Sequence, residues 1–371
     1  MKTATRLDHL EVTLIREFIS GASDGVVNLG LGQTNEPIPT CITERIAEPG
    51  KIAYAPYGPN AGFPELRAQI AERAGVAASR VVITAGVQEA IYLTMMTMVE
   101  PGMKVAVPNP GFPVYGSIAK ICGAEVVEYS LREEDAFRPT PEIIGEVLDK
   151  EVDLIALCSP GNPTGAVATE ESWAEIAELL ADASIPVLSD EIYLPFQADG
   201  VPSHPSMLKL YPRTFCAAGL SKTHGMAGWR IGWLIVPEEV VGKVVALHQH
   251  VMTSVSGIVQ QAALGAFTDA GDRAVEELNQ RLKKKRSMIT GALADSRWIV
   301  AGGDGAFYLW LRHPAFEDGL ELATHLRDEC GVLTIPGVAF GSAGEAYTRV
   351  SYSVNEEVLA RGVDRLLSIE A

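Results

Sequence analysis

Short apolar runs separated by amphipathic stretches set the rhythm of this chain. VVIT (81–84), KVAVP (104–108), EVVEYS (125–130), DLIALCSP (153–160), IPVLSDEIY (185–193), TFCAAGLSK (214–222) and RIGWLIVP (230–237) each read as a strand. Helical patterns fall between them, over about 87–99, after NPGFPVY (109–115) and near 170–182. Apolar strands alternating with helices predict an α/β fold whose largely parallel sheet is buried on both faces. In that architecture ligands gather at the carboxyl ends of the strands, and the polar motifs of this chain fall there.

The flanks read differently. Residues 9–20 set Leu10, Leu14, Ile15 and Phe18 on one face of an amphipathic helix. VVNLGLGQTNEPIP (26–39) reads as a short strand running into a Gly- and Pro-rich loop, and YAPYGPNAG (54–62) leads to a helix starting near Pro64. Beyond residue 237 the pattern turns helical, and the run Glu276–Arg286, with Lys283, Lys284, Lys285 and Arg286, reads as a solvated helix face. GAFYLWLR (305–312), GVLTIPG (331–337) and TRVSYSV (348–354) supply strands of a smaller α+β unit. The expected division is an N-terminal arm and helix (1–40) belonging to the small domain, a large domain (41–270), and an interdomain helix with the C-terminal small domain (271–371).

Composition narrows the class. A chain of 371 residues, 47% apolar, can bury a sizeable core, and a net charge of −17 argues against nucleic acid or an anionic membrane as partner. The five cysteines, Cys41, Cys122, Cys158, Cys216 and Cys330, are scattered and never in a C-x-x-C pair, so they read as reduced thiols and not as metal ligands. The opening MKTATRLDHLEV lacks the apolar run of a signal peptide, which makes a cytoplasmic protein the expectation.

The chemistry centres on Ser221–Lys222, followed by small residues and by Arg230 eight positions after the lysine. An uncrowded lysine behind a strand suits Schiff-base formation with an aldehyde, and the planar fork of Arg230 suits a phosphate. In TAGVQEA (84–90), at a strand-to-helix junction, the N–H groups of Gly86, Val87 and Gln88 point out of the helix start toward an anion. Phe112 offers a ring for stacking on a flat cofactor or for the core, with Tyr115 three residues on. In SPGNPTG (159–165) Asn162 is the one amide on a loop fixed by two prolines and two glycines. Asp190, at a strand end, has to be paired: it either caps a helix or faces a pyridine nitrogen and holds it protonated, with Tyr193 reaching the same face. Arg349, in TRVSYS (348–353), offers a fork to a carboxylate or makes a surface ion pair.

In this order, G-x-Q, P-G-F-P-x-Y, N-P-T-G, D-E-I-Y, S-K with arginine at +8, and a late R-V-S, the chain resembles the class I/II aminotransferases over essentially its whole length. These are fold-type I enzymes of pyridoxal 5′-phosphate (PLP). The resemblance implies a seven-stranded, largely parallel sheet sandwiched by helices, and a smaller α+β domain. It implies Lys222 as the Schiff-base lysine, Asp190 as partner of the pyridine nitrogen, Asn162 and Tyr193 at the ring oxygen, and Phe112 stacked on the ring. Gly86, Val87, Gln88, Ser221 and Arg230 match the phosphate cup. Tyr57 matches the tyrosine lent by a neighbouring subunit, so a homodimer with shared active sites follows by analogy. Gly32 and Arg349 match the binders of the substrate α-carboxylate, and Asn162 and Tyr115 line the same pocket. Two positions depart from the family pattern: Gly219 where many members carry a hydroxyl, and His224 where Tyr or Phe is common.

The implied reaction moves an amino group between an L-amino acid and a 2-oxo acid. The alternative keeps the same first half and ends in elimination, replacement or cyclisation at Cβ or Cγ, which fold and cofactor do not separate. A PLP-sensing regulator would need an attached DNA-binding segment, for which motifs beginning near residue 32 leave no room. VMTSVSGIVQQ (251–261), expected to reach a partner's pocket, holds no arginine for a side-chain carboxylate. Glu36 is either an exposed loop carboxylate or a contact for a cationic substrate.

Overall fold

The computed structural model describes residues 3–23, 25–47, 56–198, 200–201 and 204–370. Its centre is a seven-stranded sheet in the order Val81–Thr84, Gly232–Ile235, Thr214–Gly219, Val187–Asp190, Leu154–Cys158, Lys104–Asn109, Glu125–Ser130. Neighbours run parallel except at Gly232–Ile235, which is antiparallel to both strands beside it.

Successive side chains of a strand point to opposite faces, and here both faces are apolar. Val105, Val107, Leu154, Ala156, Leu188 and Phe215 join one core with the helices Val87–Met98 and Val241–Val251. Their neighbours Ala106, Ile155, Leu157 and Val187 join another, with the helices Pro141–Leu148 and Glu170–Ala183. The helix Pro64–Ala74 starts with proline at its first turn and ends at Gly75, whose φ of 71° supplies the left-handed cap.

The second unit is a four-stranded antiparallel sheet in the order Ile335–Pro336, Thr348–Ser351, Tyr308–Arg312, Ile299–Gly302. The helix Asp269–Leu293 packs Leu278, Leu282, Ile289 and Leu293 into the core beneath it. Val27–Asn28 pairs in parallel with Val332–Leu333, bringing the N-terminal segment onto this unit.

Several elements are shorter than their patterns. The first α-helix is Leu14–Ser20, with Thr13 extended at its N-cap; Leu10 lies before it and is exposed, while Phe18 is buried. The segment 26–39 keeps only the two-residue strand Val27–Asn28. The strand at 214–222 ends at Gly219, which leaves Lys222 in the turn beyond, and the strand at 230–237 begins at Gly232 because Arg230 is left-handed with φ 56°. The charged run is not solvated throughout. Lys285 is buried and reaches Glu36 Oε1 at 3.0 Å, while Arg286 donates to the Gly303 carbonyl at 2.5 Å. Among the described residues no helix is long and apolar enough to cross a membrane.

Candidate active site

The turn after Gly219 holds Lys222 where the two units meet. Its Nζ donates to the Gly32 carbonyl at 2.5 Å and lies 5.9 Å from the centre of the Tyr193 ring. Burial, then the nearby cation of Arg349, lower its pKa to about 8, against the opposing pull of Asp190. A lysine so placed is neutral in an appreciable fraction near physiological pH, which an exposed ammonium is not.

Asp190 ends the central strand Val187–Asp190 and is buried. Tyr115 Oη donates to its Oδ2 at 2.7 Å, and the Ile192 N–H to its Oδ1 at 3.2 Å. Desolvation raises the carboxyl to about 6, although both hydrogen bonds and the Lys222 charge oppose the rise. Asp190 thus caps the following turn and is a buried acid whose desolvation is only partly compensated. Tyr115 is not a pocket-lining side chain as expected. It is fully buried, because its ring fills the core under the sheet and its hydroxyl is spent on Asp190. Phe112 meets Tyr115 edge-on at 5.7 Å and is only half-buried.

Arg349 is buried and not a surface ion-pair partner. Its Nη1 donates to Asn162 Oδ1 at 2.7 Å and its Nη2 to the Gly30 carbonyl at 2.7 Å. Its Nε is buried with no partner among the described residues, and the cation lies 4.4 Å from the ring centre of Tyr308 and 4.7 Å from that of Phe340. Tyr193 Oη is 2.7 Å from Tyr308 Oη, so Tyr193, Tyr308, Arg349 and Asn162 form one connected group. Gly32 sits against it: a Cβ there would lie 2.7 Å from Tyr308 Oη and 3.6 Å from Arg349 Nη2. Glu36, by contrast, is engaged by Lys285 and by Arg281 at 3.4 Å, and is not open to a cationic substrate.

The cup for an anion is built from glycine. Gly86, with φ 86°, precedes the helix Val87–Met98, whose first N–H groups, including those of Val87 and Gln88, have no intrahelical acceptor. A Cβ at Gly86 would lie 2.8 Å from Arg230 Nη2, which itself donates to the Ala85 carbonyl at 3.0 Å. Gly232 abuts Gly86 on one side and Gly219 on the other; a Cβ at Gly219 would sit 2.9 Å from Gly232 Cα. In this packing a side chain at position 219 would meet the Gly232 backbone. Ser221 is buried one residue before Lys222. His224 turns away from the site: its Nδ1 is 2.8 Å from Thr223 Oγ1, and burial lowers its pKa to about 4 beside Gly271 and Arg73. Tyr57 is 89% exposed and so is not committed to the site of its own chain.

These residues fit PLP. A buried amine of lowered pKa, a buried carboxyl within reach of the Lys222 charge, and an anion cup that a single methyl would fill answer to the aldehyde, the pyridine nitrogen and the phosphate in turn. Sequence reading missed Tyr308, Gly30 and Phe340. The strand alternation in GAFYLWLR carried a signal for Tyr308, but only the pairing of Tyr308–Arg312 with Thr348–Ser351 brings it beside Arg349.

A family model described as aminotransferase class I and II matches residues 24–366. The chain is 33% identical to an aspartate aminotransferase of Pyrococcus horikoshii over 98% of this chain and 96% of that one. It is 31% identical to aromatic-amino-acid aminotransferase 2 of Thermococcus litoralis, over 99% and 97% of the two chains. Among solved structures, the Thermus thermophilus aspartate aminotransferase with maleate superposes with a TM-score of 0.93, at 27% identity, over 100% of both chains.

Proposed function

We infer the roles of individual residues from one premise: this chain belongs to the class I and II aminotransferases. It is a PLP-dependent enzyme that moves an amino group between an amino acid and a 2-oxo acid, and the aminotransferase names of its relatives do not favour the lyase, replacement or cyclase alternative. When bound, PLP supplies an electrophilic carbonyl and a ring that accepts electrons.

Lys222 holds the cofactor and, once free, takes the proton from the substrate Cα with its Nζ. A pKa of about 8 supports that role, because the amine is both basic and available. Asp190 keeps a proton on the ring nitrogen, and Tyr115 orients the carboxylate. Asn162 and Tyr193 would serve the ring oxygen of the bound cofactor, and Phe112 would supply its stacking face. Gly86, Val87, Gln88, Ser221 and Arg230 bind the phosphate. Arg349 and the backbone at Gly32 receive the substrate α-carboxylate, with Asn162 and Gly30 fixing the plane of the guanidinium. The single observation that carries the reading is the meeting of Lys222, Asp190 and Arg349, from three distant parts of the chain, closely enough for Lys222 to feel both charges.

The domain division at 1–40, 41–270 and 271–371 is supported by the pairing of Val27–Asn28 with Val332–Leu333. A homodimer in which Tyr57 reaches the partner's phosphate cup is supported by the exposure of that ring, and a cytoplasmic location by an opening MKTATRLDHLEV without an apolar run. For the side chain of the substrate we propose an apolar or aromatic group over a carboxylate. The absence of arginine from 251–261 supports this.

The test is a panel of amino acids against the purified, yellow protein. Bleaching by one amino acid, reversed by a 2-oxo acid with a new amino acid formed, is the expected result, with kcat/KM higher for Phe, Tyr or Leu than for Asp or Glu. Release of ammonia or a ring-closed product without net amino transfer would overturn the reaction; preference for Asp or Glu would overturn only the substrate class.

A further inference from the structure

Behind the anion cup lies a partly buried acid that none of the assigned roles uses. Glu89 is the third residue of the helix Val87–Met98, and its carboxylate folds back over the helix start. Oε2 accepts the Ala85 N–H at 2.5 Å, and Oε1 lies 3.0 Å from Nδ1 of His248. His248 stands on the helix Val241–Val251 and is wholly buried; since a carboxylate only accepts, its Nδ1–H is the donor. The other face of the same peptide is engaged as well, because the Ala85 carbonyl accepts from Arg230 Nη2 at 3.0 Å. Arg230 is also anchored by the Ala227 carbonyl, which accepts from its Nη1 at 3.0 Å. The Ala85 peptide is therefore gripped by Glu89 on its N–H and grips Arg230 through its oxygen.

We propose that Glu89, steadied by His248, is the positioning residue of the phosphate cup: it fixes the Ala85 peptide plane and, through the carbonyl, the orientation of the Arg230 guanidinium. Neither side chain touches the cofactor. A glutamate at the third helical position that reaches back to a preceding N–H is an ordinary helix-start device. Two features take it beyond that here. A fully buried histidine from a separate helix orients the second carboxylate oxygen, and the peptide it fixes carries the arginine of the cup. The spacing also leaves no slack, since Gly86 already stands against Arg230 with no room for a Cβ. A tilt of the Ala85 peptide moves either the arginine or the helix-start N–H groups out of register with a phosphate.

The inference rests on the reading of the cup as a phosphate site, and the experiment separates the two. The cofactor-free full chain is titrated with PLP and with pyridoxal, which has the same ring and aldehyde but no phosphate. Wild-type protein that binds PLP no better than pyridoxal would sink the cup itself. Given a wild-type preference for PLP, Glu89→Ala is expected to lose about 10- to 100-fold in PLP affinity, the effect of removing one hydrogen bond to a charged group, while pyridoxal affinity stays unchanged. His248→Phe shifts the same ratio in the same direction, and Glu89→Gln, which keeps an acceptor for the Ala85 N–H, restores most of it. If PLP and pyridoxal weaken together, or if neither changes, the positioning role is wrong and Glu89 is a structural cap only. Should Glu89→Ala fail to fold, Glu89→Asp carries the same comparison, because its shorter side chain cannot span from Ala85 to His248.

Discussion

Asp190→Asn is expected to make the cofactor-free protein more stable while it disables the enzyme. In the absence of PLP, Asp190 is a buried carboxylate whose pKa stands at about 6, raised by desolvation from an ordinary value near 3.8. The folded state thus holds a proton that the unfolded state has released between pH 4 and 6. Native stability therefore falls as pH rises through that window and stays reduced above it. Two pKa units at 1.36 kcal/mol each put the cost near neutrality at about 3 kcal/mol. Asparagine removes the charge and keeps the bonds, since its Oδ1 still accepts from the Ile192 N–H and its amide can donate to Tyr115 Oη. The attraction of Lys222 is already contained in that pKa, so the expected gain stays at about 3 kcal/mol. The assay is urea denaturation of both cofactor-free proteins at one protein concentration, at several pH values from 4 to 8. The variant should unfold at higher urea at pH 7.5, with the advantage shrinking toward pH 4. Equal midpoints at pH 7.5, or a difference that ignores pH, would refute the reasoning. With PLP bound the same change should lower kcat about 100- to 1,000-fold, the scale of losing one preorganised charge at a reacting group.

Three further outcomes follow from the site. Lys222→Ala should abolish amino transfer, and borohydride treatment followed by peptide mapping should label position 222 in the parent only; turnover that survives the change would contradict the assignment. Arg349→Lys should raise KM for the amino acid about 10- to 100-fold with a smaller change in kcat, because an ammonium cannot keep both the Asn162 and Gly30 bonds and still offer a fork; steady-state kinetics decide it. Gly86→Ala should cost about 1–3 kcal/mol and hasten loss of PLP on dialysis, given a φ of 86° and a Cβ 2.8 Å from Arg230 Nη2. An unchanged melting temperature with full retention of cofactor would count against the cup.

The alternation of apolar runs and helical patterns, with polar motifs gathered mostly at strand ends, was enough to establish the α/β sheet and the family. That information is local: an apolar strand must be buried wherever it lies, and Lys222 and Asn162 follow such strands while Asp190 ends one. What the order of residues left open was which groups meet. Asp190 had a helix cap as its alternative reading, and its place beneath a fully buried Tyr115 depends on how the helix Val114–Ile121 packs on the sheet. Lys285 sat in a run of charges, and only the crossing of the helix Asp269–Leu293 by the loop of Glu36 turned it inward. Tyr308 and Arg349 are far from Gly32 and Tyr193 along the chain, and two sheets had to dock to make them neighbours. Periodicity decides which face of an element is buried, whereas the partner across that face is a matter of docking, and the pKa values of Lys222 and Asp190 belong to the docked arrangement alone.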